Sequence, residues 1–170
     1  DRHHPSVDLG NYILFETGQP VHVFDAEKVK GNISIREAKQ GETLVTIDDT
    51  EILLEEGDII ICDSEKIIAL AGIIGGKETA VGDGTTQVLV ESAHFDANSI
   101  RKTARRLKLL TEAAKRFERN IPVELSIIAV QRILYFAIEA KLQVMGYISK
   151  GKSESHHSTT ALTYEYVRQY

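Results

Sequence analysis

The apolar residues of this chain change their period at Asp96, and that change constrains the fold more than any other feature. Upstream, they come in short β-branched runs such as Asp58 to Cys62 and Ile67 to Ala71. Downstream, Ile127, Val130, Leu134, Ala137, Ile138 and Leu142 recur at helical spacing. Strands first and helices later predict an α+β layered fold, with helices packed on one side of the sheets. A doubly wound sheet needs regular strand–helix alternation, which is absent.

Local signals place the elements. Asn11 to Thr17 reads as a short helix ended by Gly18 and Pro20. Ile33 to Arg36 alternates as a half-buried strand does. Thr43–Ile47 and Glu51–Leu54 flank Asp48-Asp49-Thr50, a hairpin turn. Gln87 to Ser92 is another strand. Asp96 or Asn98 caps a helix to about Leu109. Thr111 to Arg119 forms a second helix, and Pro122 opens a third that runs to about Met145 and ends at Gly146. Tyr147 to Ser149 reads as a strand. Residues 1–150 are expected to form one domain, 151–160 a linker, and 161–170 the start of a following domain. No internal repeat is visible.

Composition narrows the class. The chain has 170 residues, enough for a real core. Its longest apolar run, Ile67 to Ile74, is too short to span a bilayer, and a chain with one cysteine is expected to be cytoplasmic. The single cysteine, Cys62, excludes an intramolecular disulfide and reads as a small core residue. The net charge of −5 argues against nucleic acid, but its distribution does not. Ten acids and one base lie between Glu37 and Glu65, whereas eight bases and two acids lie between Arg101 and Arg119. A local basic face can meet phosphates on an acidic protein; a solvated helix face is the plainer reading.

Three features stand out as candidate sites. Ala71-Gly72-Ile73-Ile74-Gly75-Gly76-Lys77-Glu78 is close to a phosphate-binding loop, but Ala71 replaces its first glycine and Glu78 its Ser/Thr. It is either a tight turn or a wall where a ligand lies on backbone. Glu91 closes the apolar run Val88-Leu89-Val90. A buried carboxylate needs a donor or takes up a proton, so Glu91 either pairs with a downstream arginine or accepts from a ligand. His22, between Val21 and Val23, is a satisfied core residue or a site residue. The adjacent pairs His3-His4 and His156-His157 cannot converge on one ion, so no metal site is expected.

These residues belong to a longer series. Asn11-Tyr12, Glu16, Gly18-Gln19-Pro20, His22 and Phe24-Asp25 come first. Gly72, Gly75-Gly76 and Val90-Glu91-Ser92-Ala93-His94-Phe95 follow. Arg105-Arg106-Leu107, Thr111-Glu112-Ala113 and Arg116-Phe117-Glu118-Arg119 complete it. In order and spacing the series resembles the B3/B4 domain of the bacterial phenylalanyl-tRNA synthetase beta subunit, over about Val7 to Ser149. The resemblance implies a layered β/β/α fold with mixed sheets. It implies proofreading: hydrolysis of tyrosine wrongly esterified to the 3′ end of tRNA(Phe), beside an alpha subunit that performs the ligation. His22, Thr111 and Asn11 would serve the reacting ester. Glu91, Gly75, Gly76 and Ala113 would bind the tyrosine, with Glu91 accepting its hydroxyl. Arg105 and Arg106 would meet tRNA. No cofactor is implied in this domain, ATP and magnesium being used elsewhere in the synthetase. Gly10 stands where the family often carries threonine, which opens an alternative: an editing-impaired module with a structural or tRNA-binding role.

Overall fold

The computed structural model describes residues 4–150 and 158–165. Helix α1 (Pro5–Thr17) begins earlier than expected. The His4 ring caps it by accepting from the Ser6 amide, and Pro5 occupies its first turn, where a missing N–H costs nothing. Gly18, at φ 81°, ends it in the left-handed conformation and returns its N–H to the Leu14 carbonyl. Strand β1 (Val21–Asp25) follows. The β-rich middle contains β2 (Ser34–Glu37), β3 (Thr43–Val45), β4 (Glu51–Leu53), β5 (Ile59–Cys62), β6 (Ile67–Leu70), β7 (Ile74–Gly75) and β8 (Gln87–His94). Then come α2 (Ala97–Leu107), α3 (Glu112–Phe117) and α4 (Glu124–Glu139), and finally β9 (Gln143–Lys150) and β10 (Ser158–Glu165).

The described residues form three sheets, of order β1-β8-β10-β9, β2-β5-β6-β7 and β3-β4. Among the described residues every strand pairing is antiparallel. Alternation along β1 and β8 sends side chains to two different cores. Val21, Val23, Val88 and Val90 pack with Ile13 of α1 and with Ala129 and Ile133 of α4. Phe24, Leu89 and Ala93 face the other way, into a larger core with Ile60, Ile61, Ile68 and Leu70 of the second sheet. The layers are therefore sheet, sheet and helices. The short helices α2 and α3 add Ile100, Ala104, Ala114 and Phe117 to the core between the sheets.

The chain's last third departs from the expectation drawn from pattern. Helix α4 stops at Glu139, six residues short of Met145, and Lys141 turns the chain at φ 55°. Gln143–Met145 belong to β9: Gln143 and Val144 pair with β10, a partner that no local signal announces, and Met145 falls at the shift in register. Residues 161–165, expected to open another domain, lie in β10. This strand is hydrogen-bonded between β8 and β9 within the first sheet. Alternation at Ala161–Tyr164 identifies a strand but not its neighbours, and the neighbours decide which body it joins. The expected linker at 151–157 and the end of the chain, 166–170, lie outside the described residues.

Candidate functional site

Strand register creates the site. His22 and Glu91 are directly opposed in the β1–β8 ladder. They therefore project from the same face of the sheet, their Cβ atoms about 5 Å apart. That face looks toward the second sheet. Between the sheets lies a half-open cleft of about 360 Å³, its solvent mouth included. Pro20, His22 and Glu91 line one side, Gly72 to Gly75 and Ala113 another, and Ile61, Ala69, Leu70 and Phe117 make an apolar floor.

A buried amide fixes the start of β1. Gln19 donates through Nε2 to the carbonyls of Pro20 (2.9 Å) and Ala93 (2.7 Å). This pins the chain just before His22 to the end of β8, just after Glu91. The His22 ring then rests edge-on against Phe24, 4.4 Å between centroids.

Glu91 is 8% exposed, and among the described residues no lysine or arginine pairs with it. The salt-bridge alternative is thereby set aside. Burial raises the Glu91 carboxyl to about 7 and holds His22 down at about 4. In both cases the charged form would forfeit its water. Between those values both side chains are neutral, which inverts the usual order of an acid and an imidazole. Such a displaced pair in a cleft marks a candidate functional site.

The glycine loop divides its work differently from the expectation. Gly72 turns the chain between β6 and β7 at φ 66°, and a Cβ there would meet Phe95, Phe117 and Ile100. A Cβ on Gly75 would fall 2.5 Å from Nε2 of His22, so the missing side chain is what admits the imidazole. Gly76 does not line the cleft. Its added Cβ would strike the Ile68 carbonyl at 2.8 Å, so its role is the close approach of β7 to β6. The wall is thus Gly72 and Gly75 in place of Gly75 and Gly76.

Other expected residues also separate. Ala113 lines the cleft. Thr111 does not; its hydroxyl donates to the Ile73 carbonyl (2.8 Å) and accepts from the Ala114 amide (3.1 Å). It caps α3 and ties that helix to the glycine turn. Asn11 is exposed on α1 and is not among the lining residues. Gly10 packs under Val21, on the helical face of the sheet away from the cleft. Arg106 is committed to Asp58 and Glu55, whereas Arg105 is exposed. Pattern reasoning missed the floor residues Ile61, Ala69, Leu70 and Phe117. Their β-branched and apolar runs signalled burial, but nothing in them distinguishes a packed core from a cleft floor. Among the described residues no three His, Cys, Asp or Glu side chains converge to hold a metal. No helix among them is long and apolar enough to cross a membrane.

An apolar cleft between antiparallel sheets, with one acid and one imidazole in it, is a candidate small-ligand site in an α+β domain. Residues 2–141 match the family described as the B3/4 domain, and the chain belongs to that family. It is 48% identical over 128 residues to the phenylalanine–tRNA ligase beta subunit of Nocardia farcinica, and 44% over 118 residues to that of Aquifex aeolicus. These alignments cover 75% and 69% of this chain, and it spans 15% of the length of each relative.

Proposed function

We propose that this domain proofreads for a phenylalanine–tRNA ligase, hydrolysing tyrosine from tRNA(Phe). The carrying observation is Glu91, a buried carboxyl that has no ion-pair or side-chain hydrogen-bond partner among the described residues and lines an apolar cleft. Tyrosine differs from phenylalanine by one hydroxyl. A site that holds an acceptor for that hydroxyl rejects phenylalanine strongly, because the acceptor is otherwise left desolvated and unpaired. Such mismatches are worth about 10⁴ to 10⁵ in discrimination. The ring would lie over the Gly72–Gly75 backbone, with Ala113 leaving it room.

Hydrolysis then requires a water beside the ester carbonyl. The water oxygen bonds to the carbonyl carbon, the bond to the ribose oxygen breaks, and that oxygen takes the proton. His22 is neutral at physiological pH and offers a ring nitrogen to hold the water. With its conjugate acid near 4 it is a weak base, so it acts chiefly by orientation. Thr111 and Gly75 act through the elements they position. An alpha subunit and the tRNA would be partners, with ligation carried out elsewhere in the assembly. Gly10 lies under Val21 on the far side of the sheet and is not itself among the residues that line the cleft.

The test is deacylation of tyrosyl-tRNA(Phe) against phenylalanyl-tRNA(Phe) by the full synthetase. Selective tyrosine release, lost in Glu91→Ala, is the expected result. Equal background decay of both esters would refute editing and leave a module of architectural use.

A further inference from the structure

Outside the cleft several large apolar side chains are exposed, and among the described aromatic rings Phe15 is the most exposed. Phe15 is 72% exposed at the C-terminal end of α1. An exposed aromatic ring offers a flat apolar face on which another planar group can stack. The guanidinium of Arg116 lies 5.5 Å from its centroid. This pair bridges the two elements beside the cleft. Phe15 stands five residues before Pro20, and Arg116 lies one helical turn after Ala113 and next to Phe117. Arg116 is held by the Glu112 carboxylate (2.7 Å) and carbonyl (3.0 Å), so its plane has a fixed aim. Lys115, which shares Glu112 with Arg116 (2.8 Å), and Arg119 leave the same helix end net cationic against Glu112 and Glu118.

We propose that Phe15 and Arg116 form a stacking lip for the unpaired terminal base of an RNA whose 3′ ester enters the cleft. The inference rests on the proofreading reading and names residues that reading does not need. Unpaired RNA ends are bound by stacking on aromatic rings and guanidinium planes. The cationic helix end suits the adjoining phosphates. An ester seated between His22 and Glu91 leaves its nucleotide outside the cleft, and the lip stands on the two segments that supply Pro20 and Ala113 to the cleft's lining.

The test uses the full synthetase and tRNA(Phe) carrying 2-aminopurine as its terminal base. Stacking quenches this fluorophore whether or not the ester is cleaved. Quenching by the parent enzyme should be lost in Phe15→Ala and kept in Phe15→Tyr. With tyrosyl-tRNA, Phe15→Ala should raise KM about tenfold or more at unchanged kcat. The difference should vanish when the terminal nucleotide is abasic. Unchanged quenching in Phe15→Ala, or an equal loss with the abasic substrate, would overturn the proposal. Unchanged quenching with a lowered melting temperature would assign Phe15 to a domain contact and overturn it too. If the parent enzyme hydrolyses no tyrosyl-tRNA, proofreading fails, and quenching alone still decides the lip.

Discussion

Glu91→Gln is the most informative single change. Glutamine keeps the shape and an acceptor oxygen but cannot ionise. Folding moves the carboxyl from 4.5 to about 7, so between those values the folded chain binds more protons than the unfolded one. Stability from this group is therefore fully present below pH 4.5 and is lost as pH rises through 7. A rise of about 2.5 at about 1.4 kcal/mol each gives a loss of about 3 kcal/mol by pH 8. His22 runs the opposite way. Its folded value is depressed from 6.5 to about 4, so its contribution is full above 6.5 and lost as pH falls through 4. At pH 8 only the Glu91 cost is present. Urea denaturation at pH 8 should find Glu91→Gln more stable than the parent by about 3 kcal/mol, the gap closing toward pH 4.5. A less stable Gln variant at pH 8 would show that a cation holds Glu91, and the idea of an unpaired acid awaiting a ligand would be wrong.

Further expectations concern the residues around the cleft. Gly75→Ala places a Cβ against the His22 ring and must displace it by about 1 Å; tyrosyl-tRNA hydrolysis should fall about 100-fold, read from single-turnover deacylation. Arg106→Ala strips the guanidinium from the buried Asp58 carboxylate. Thermal melts should lose about 2 kcal/mol, and a fall in tRNA affinity at unchanged stability would return Arg106 to the RNA surface. Gln19→Ala leaves the Pro20 and Ala93 carbonyls without their shared donor, costing about 1–3 kcal/mol. Because this amide sets the start of β1, deacylation should weaken as well; full activity would separate the pin from the placement of His22.

The sequence by itself determined what short-range physics controls. Gly18 could only end a helix, Asp48-Asp49-Thr50 only turn a hairpin, and the apolar runs at Asp58–Cys62 and Ile67–Ala71 only bury themselves as strands. It also marked His22 and Glu91 as costly residues in apolar surroundings and, through family resemblance, assigned them to one pocket. Tertiary structure decided the rest. That His22 faces Glu91 depends on the register of β1 on β8, and a one-residue slip would send one of them to the helical face. That Gly75 serves the imidazole while Gly76 serves β6 depends on where a missing Cβ would point. Arg106 and Thr111 were spent on Asp58 and Ile73, partners about 50 and 40 residues away in sequence. The fate of Gln143–Met145 was settled by β10, whose pairing outweighed the helical period. Local patterns encode backbone preference and burial, but register and long-range pairing are choices among partners, and those are made only when the chain is packed.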